Sequence, residues 1–304
     1  NLILMVRSQH EKGWGLDAVW ADDFHHEIRV ALAGDRDGYF ADFTGTLADI
    51  AKTVQQGWFF TGQHSLHLKG PRGTAPVSPE KCVICLQNHD QVGNRALGDR
   101  LHHTLEAASY RAATALLLTA PETPLLFMGQ EWAARSPFLY FTDHNEKLGR
   151  LVTQGRREEF KSFRAFADPD VRSRIPDPQA PTTFELSHLR WEEQKEPAAA
   201  GLLRYYQALL NFRNAFVGAL PSDVRVETPA AMTLVLRRSK TLVAVRLQGS
   251  GPVTIETGAS PWVLAITSED PSFVPDSQPP TLSPSAGSFT LHFNRPGAVL
   301  WKIP

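Results

Sequence analysis

The pattern of apolar and polar positions in the first two thirds of the chain predicts a parallel β-sheet covered by helices. Apolar runs over residues 82–86 and 125–128 predict two buried strands, and residues 16–20 predict a further short strand. An apolar helix is predicted over 110–119, between the two buried strands, and prolines end it. Because strands that are apolar throughout are buried on both faces, this alternation of strand and helix indicates an α/β fold.

Other stretches complete this outline. Helices are predicted over 47–56, 155–166 and 202–216, where apolar residues recur at helical spacing, and a loop over 70–79, which is rich in proline and glycine. From Pro221 onward the pattern alternates, with turn residues between short strands. These strands are predicted over 233–237, 241–247, 253–256, 288–293 and 298–302. We therefore expect an α/β unit over 1–220, with an insertion at about 133–200, and an antiparallel all-β domain over 221–304.

The composition limits the classes of function. Of the 304 residues, 42% are hydrophobic and 21% are charged, which is ordinary for a folded globular protein. The formal net charge is −1 and there is no long basic run, so nothing supports binding to nucleic acid or to an anionic membrane. No apolar stretch reaches the ~20 residues that span a bilayer.

The two cysteines, Cys82 and Cys85, lie inside a predicted strand, three positions apart. Residues at this spacing face opposite sides of a strand, and no second pair exists to complete a four-thiolate zinc site. We expect two reduced core cysteines, which is typical of a cytoplasmic protein. No histidine spacing typical of a metal site is present, so neither a metal nor a cofactor is expected.

The most informative polar stretch follows the predicted strand over 82–86. It contains Gln87, Asn88, His89, Asp90 and Gln91 and continues to Arg95. Polar residues at the exit of a buried parallel strand lie at the edge where α/β barrels keep their chemistry. An amide, an imidazole and a carboxylate in succession are suited to binding several hydroxyls of a sugar. The alternative is an ordinary strand-to-loop turn in which Asp90 caps the next segment.

This stretch resembles the fourth conserved region of the α-amylase superfamily of glycoside hydrolases, and its longer form resembles the maltooligosyltrehalose trehalohydrolase branch. Further similar stretches begin with Trp20-Ala21-Asp22-Asp23-Phe24-His25-His26 and also cover 124–132, 137–144, 155–160, 175–178, 183–185 and 189–191. The stretch over 124–132 is shared with glycogen branching enzymes. The resemblance covers about residues 14 to 216, and the superfamily places a β-domain after them.

The resemblance implies the C-terminal portion of a (β/α)₈ barrel and retaining hydrolysis of the α-1,4 glucosidic bond next to a terminal trehalose unit, which releases trehalose. It implies that Asp90 is the carboxylate that stabilises the transition state and that His89 binds a hydroxyl of the same sugar. Gln87, Asn88 and Gln91 are then expected to orient the loop or line the pocket. The substrate would be maltooligosyltrehalose or another α-1,4-glucan, supplied by maltooligosyltrehalose synthase.

The first of these similar stretches, around residues 20–26, has two interpretations. Asp22 and Asp23 are expected to contact sugar, and the alternative is that they cap a helix or lie in a solvated turn. His25 and His26 are either substrate-binding or ordinary packing histidines.

The chain also departs from the family pattern. The nucleophile and the general acid belong upstream of Asp22, and the only carboxylates there, Glu11 and Asp17, fit neither role. A complete barrel takes roughly 200–250 residues. We therefore expect a part of a longer enzyme that is inactive alone.

Two other functions remain open: a glycogen branching enzyme on the same barrel, and a non-catalytic glucan-binding polypeptide. For Glu131 we favour a structural ion pair over catalysis. Most of the aromatic residues of the insertion are expected to pack in a core rather than stack on sugar: Trp132, Phe138, Tyr140, Phe141 and Trp191.

Overall fold

The computed structural model describes residues 2–73, 77–159, 163, 170, 174–217, 223–258 and 260–304. The α-helices are α1 (Leu2–Val6), α2 (Asp23–Ala33), α3 (Leu47–Gln56), α4 (His89–Gly93), α5 (Ala107–Thr119), α6 (Glu146–Glu159), α7 (Pro181–Leu186) and α8 (Pro197–Phe216). The first strands are β1 (Val19–Trp20), β2 (Thr61–Ser65), β3 (Gly70–Gly73), β4 (Cys82–Cys85) and β5 (Thr123–Leu125). The later strands are β6 (Arg225–Ala230), β7 (Thr233–Arg237), β8 (Thr241–Arg246), β9 (Gly251–Glu256), β10 (Val263–Thr267), β11 (Thr281–Ser285), β12 (Ser288–Phe293) and β13 (Gly297–Lys302).

Three strands form the predicted parallel sheet, in the order β1-β4-β5, although only β4 is largely buried and β5 has no buried residue. Val19 pairs with Cys82, and Val83 pairs with Thr123. The last strand begins two residues earlier than predicted and ends at Leu125, because the chain turns at once: the amide of Phe127 donates to the side chain of Gln130 at 2.9 Å. The sheet brings the ends of β1 and β4 to one edge.

Helix α3 shows how local sequence sets its own limits. The hydroxyl of Thr46 accepts a hydrogen bond from the amide of Asp49 at 3.2 Å and caps the start. Gly57, with φ of 78°, ends the helix in the left-handed region, where a residue with a side chain is strained. The observed bounds match the prediction.

Two segments differ from the prediction. Residues 70–73, predicted as loop, form strand β3 and pair with β2 in a hairpin. The carboxylate of Asp42 organises its turn by accepting hydrogen bonds from the amides of Leu66 and His67. The polar stretch after β1, where no helix was predicted, is the buried first half of α2. A pattern of side chains does not reveal partners so distant in sequence.

Three other helices are longer at their start than predicted: α5, α6 and α8 begin at Ala107, Glu146 and Pro197. Phe160 and most of the predicted helix beyond it lie outside the described residues.

The C-terminal strands form two antiparallel sheets, in the orders β10-β13-β8-β7-β6 and β11-β12-β9. One apolar cluster lies between the sheets and includes Val253, Leu291 and Trp301. The opposite face of the larger sheet joins the cluster formed by α5 and α8. Strands β6, β10 and β11 were not predicted, because none of their residues is fully buried and they show no clear alternation. Pro221, the predicted boundary, lies outside the described residues, so the domain division stays a prediction.

Cys82 and Cys85 are free and buried. Burial raises the pKa of the Cys82 thiol to about 12 and raises the pKa of Cys85 as well, so both are inert thiols at neutral pH. In the part of the chain that the structure describes, no helix is long and apolar enough to cross a membrane.

Candidate functional site at the ends of the parallel strands

The candidate site lies where β1 and β4 end, because parallel strands place their carboxyl ends at one edge. Asp22 follows β1 and takes the N-cap position of α2, although its side chain makes no capping hydrogen bond. Asn88 follows β4 and is the N-cap of α4. The polar stretches that follow β1 and β4 therefore meet.

A reciprocal pair of hydrogen bonds shapes the loop after β4. The side chain of Asn88 accepts from the amide of Gln91 at 3.1 Å, and the side chain of Gln91 accepts from the amide of Asn88 at 3.0 Å. This capping box satisfies two amides that the short helix leaves unpaired. It fixes His89 and Asp90 as the first residues of that helix.

Gln91 also joins the two strand ends. Its Nε2 donates to Oδ1 of Asp22 at 3.0 Å. Burial raises the pKa of Asp22, and the nearby charges of Asp23 and Asp90 raise it further, against the hydrogen bond from Gln91. The carboxylates of Asp22 and Asp90 are thus close enough to interact, and only that of Asp22 is shielded.

His89 and Asp90 face solvent, with side chains 58% and 69% exposed. Nε2 of His89 lies 3.7 Å from Oδ1 of Asp90. The ring of Trp20, itself half exposed, meets the His89 ring edge-on at 6.2 Å. The site thus presents a carboxylate, an imidazole and an indole on an accessible edge.

The neighbouring Gln87 has an internal position. It is fully buried, and its side-chain oxygen accepts from the amide of Leu101 at 2.8 Å. This geometry agrees with loop orientation, one of its two expected roles.

Asp23 is fully buried and holds the segment after α3. Its Oδ2 accepts from the amides of Phe59 and Phe60 at 2.9 and 3.3 Å, and its Oδ1 lies 3.3 Å from the guanidinium of Arg72. Burial raises its pKa more than these three partners lower it. The contacts are those of a buried anchor, and its predicted contact with sugar stays a prediction.

His25 and His26 lie in an aromatic cluster. Nδ1 of His25 is 2.6 Å from the carbonyl of Leu86, and the ring of His26 stacks on Phe43 at 4.7 Å. Burial lowers the pKa of both, that of His26 to about 3, so both rings are neutral. The geometry favours the packing role that the sequence left open, and it places His25 against the strand end that carries Gln87.

A cavity of about 140 Å³ adjoins the site and is lined by Tyr39, Gln91, Asn94 and Arg95 among others. Arg95 lies 3.1 Å from Asp35, which also pairs with Arg29. Among the described residues, no group of three or more histidines, cysteines and carboxylates is placed to hold a metal ion.

Arg72 and Tyr39 were not identified from the sequence. Arg72 lies on the unpredicted strand β3 and pairs with Asp23, and Tyr39 contacts the His26 ring edge-on. Neither carries a local signal, since each meets its partner across at least a dozen residues.

The aromatic residues of the insertion and Glu131 are spread more widely. Trp132 is buried, whereas Tyr140 and Trp191 are exposed, so a core role holds only for some of the aromatics. Glu131 forms no salt bridge within the described ranges, which differs from the favoured prediction. Burial raises its pKa, while backbone amides and the charge of Arg100 lower it.

We compared the chain with known protein families and solved structures. No family model matches the chain. A structure described as a putative α-amylase from Salmonella typhimurium superposes with a TM-score of 0.73 at 29% identity, over 94% of this chain and 46% of that one. An α-amylase from H.orenii shares the fold at a TM-score of 0.53 and 14% identity, over 99% of this chain and 52% of that one. The described residues thus form part of an α-amylase-family barrel, followed by antiparallel β-structure.

The sequence comparison is more specific. A malto-oligosyltrehalose trehalohydrolase from Arthrobacter ramosus is 37% identical over 98% of this chain and 49% of its own length. One from Deinococcus radiodurans is 46% identical over 65% of this chain and 33% of its own length. One from Saccharolobus solfataricus is 34% identical over 73% of this chain and 37% of its own length. The chain is a homologue of the malto-oligosyltrehalose trehalohydrolases and spans about half their length or less.

Proposed function

We propose that this chain forms part of the active site of an enzyme that hydrolyses the α-1,4-glucosidic bond next to the terminal trehalose unit of maltooligosyltrehalose. The names of the sequence relatives support the choice of reaction. The observation that carries the proposal is the hydrogen bond between Gln91 and Asp22, which joins two strand ends beside the exposed carboxylate of Asp90.

Asp90 is proposed as the carboxylate that binds sugar hydroxyls and strengthens its contact as positive charge develops on the sugar ring. It is open to substrate, while the capping box fixes the backbone that carries it. His89 is proposed to bind a hydroxyl of the same ring, and Trp20 offers an adjacent apolar face. Retaining hydrolysis also needs a nucleophile and a general acid on opposite sides of the bond, and the proposal assigns neither to a residue of this chain.

The substrate would come from a maltooligosyltrehalose synthase, and we propose a cytoplasmic location because both cysteines are free and buried. A glycogen branching enzyme and a non-catalytic glucan-binding polypeptide are the alternatives. The three functions differ in product: the proposed hydrolase releases free trehalose, a branching enzyme forms new α-1,6 branches, and a binding polypeptide forms no product.

Product analysis tests the proposal. The chain is fused to the C-terminus of the part of the Arthrobacter ramosus relative that it does not match. Cooperative unfolding of the fusion is checked first, and maltooligosyltrehalose is then supplied as substrate. We expect free trehalose from the fusion and none from the 304-residue chain alone. Branched glucan, or a folded fusion that binds maltooligosaccharide without turnover, would contradict the proposed reaction.

A further inference from the structure

Two stretches that resemble the family, 137–144 and 155–160, lie outside both strand-end loops of the candidate site. The structure brings one residue of each together: the guanidinium carbon of Arg156, on helix α6, lies 3.9 Å from the centre of the Tyr140 ring. A guanidinium that stacks on an aromatic ring keeps its N–H groups in its own plane, where they can donate to other acceptors. The Tyr140 ring therefore fixes the direction in which Arg156 donates.

Two of these N–H groups donate to the end of α4, the short helix that carries His89 and Asp90. Nη1 of Arg156 donates to Oδ1 of Asn94 at 3.0 Å, and Nη2 donates to the carbonyl of Gly93. Carbonyls in the last turn of a helix have no partner within the helix and need one from outside. Arg156 thus caps the C-terminal end of α4 from a segment 62 positions away in the sequence.

Asn94 extends this contact to the backbone of Asp90. The amide of Asn94 donates to the carbonyl of Asp90 at 2.8 Å, while the side chain of Asn94 accepts from Arg156. Two consecutive residue-to-residue contacts therefore join helix α6 to the residue that carries the candidate carboxylate.

The turn that carries Asp90 depends on such contacts. Helix α4 has 5 residues, too few for a helix to be stable by itself in water. The capping box of Asn88 and Gln91 holds its first turn. The side chains of His89 and Asp90 are 58% and 69% exposed, so packing does little to fix them. The orientation of the Asp90 carboxylate is therefore set by the backbone of the turn and by the groups that hold its two ends.

We propose that Arg156 is a positioning residue for Asp90 that acts through Asn94 and the carbonyl of Gly93, while Tyr140 holds its guanidinium in place. The role of Asp90 itself rests on the proposed function. A displacement of about 1 Å at a catalytic group can lower a rate by about 10²-fold, so loss of this contact should appear in kcat. The stretches 137–144 and 155–160 then contribute to catalysis through their hold on α4.

The kinetics of the fusion enzyme test this proposal. Arg156→Ala should lower kcat by about 10- to 100-fold and change KM by less than about 3-fold, because the contacts with substrate remain. Arg150→Ala is the matched control on the same helix; its side chain is 78% exposed, and kcat should be retained. Tyr140→Phe keeps the aromatic face and should also retain kcat, whereas Tyr140→Ala should lower it. A parent-like kcat in Arg156→Ala, or a change in KM alone, would overturn the proposal.

Each variant is first checked for cooperative unfolding. If Arg156→Ala does not fold, Arg156→Lys takes its place, because lysine keeps the charge but lacks the planar fork that serves two acceptors and stacks on a ring. We expect a lower kcat for Arg156→Lys too, and a parent-like value would overturn the proposal.

A second background separates positioning from a general structural role. In Asp90→Ala, the further change Arg156→Ala should lower kcat by less than about 2-fold, because the group that Arg156 positions is already gone. Losses that multiply would show that Arg156 acts elsewhere in the enzyme and would overturn the proposal.

Hydrogen exchange followed by mass spectrometry tests the same contact without turnover. In Arg156→Ala of the fusion, the peptide over 87–95 should exchange faster, on the order of 10-fold, whereas the peptide over Leu47–Gln56 in α3 should not change. Arg150→Ala should change neither peptide. Unchanged exchange over 87–95 would overturn this proposal even if the fusion releases trehalose. Faster exchange in Arg156→Ala, with no trehalose from the parent fusion, would refute the proposed function and still establish the hold of Arg156 on α4.

Discussion

The side chain of Gln91 donates a hydrogen bond to Asp22 at 3.0 Å, although the two residues are 69 positions apart. The same side chain accepts from the amide of Asn88. One residue therefore ties the turn after β4 to the turn after β1, and the candidate site depends on that tie.

Replacing Gln91 with Ala should lower the free energy of unfolding by about 1–3 kcal/mol, because it removes a capping interaction and leaves Asp22 without this donor. Chemical denaturation measures the change. Gln207→Ala, at an exposed position of α8, is the matched control and should stay within about 0.5 kcal/mol of the parent chain. Equal free energies of unfolding for the two variants would show that the hydrogen bonds of Gln91 do not stabilise the fold.

Asp22 and Asp23 are adjacent and should behave differently. Asp23→Ala should lower the free energy of unfolding by about 2–4 kcal/mol, because it removes the partner of two backbone amides and of Arg72. Asp22→Ala should cost about 1 kcal/mol, because this side chain is only partly buried. In the fusion enzyme, Asp22→Ala should reduce the preference for maltooligosyltrehalose over plain maltooligosaccharide. Equal loss on both substrates would point to a structural role.

Asp90→Asn should lower kcat of the fusion far more than it raises KM, because the proposed contact strengthens only in the transition state. A loss of about 10²–10³ corresponds to removal of one preorganised electrostatic partner. Asp17→Asn, another exposed carboxylate, is the control. A rise in KM alone would make Asp90 a substrate clamp.

Glu27 should make stability depend on pH. It is fully buried, its carboxylate accepts from the amide of Gly45 at 2.7 Å, and burial raises its pKa from 4.5 to about 8. The folded state thus holds the proton more tightly than the unfolded state. The contribution of Glu27 to the free energy of unfolding is fully present below pH 4.5 and is lost as pH rises to about 8. The free energy falls by up to about 1.4 kcal/mol per pH unit over this range.

Comparing the unfolding free energies of the parent chain and Glu27→Gln across this range isolates that residue, because the other titrating groups are common to both. Glu27→Gln should gain stability relative to the parent as pH rises. A difference that is constant with pH would contradict the shifted pKa.

The sequence by itself determined strand β4, Cys82–Cys85, because a strand that is buried on both faces must be apolar throughout. It also determined the limits of α3, since Thr46 and Gly57 act within one turn. Within the described residues, strands β7 and β8, which are buried almost throughout, and the alternating strand β12 were also predicted from the sequence.

The tertiary structure alone decided which polar residues are buried. Asp23, His25 and Glu27 look like a solvated exit in sequence, yet they lie in the interior because amides and carbonyls from distant segments complete their hydrogen bonds. The meeting of Asp22 with Gln91 likewise depends on how separate elements pack. A local pattern specifies the faces of an element, whereas only packing specifies which groups those faces meet.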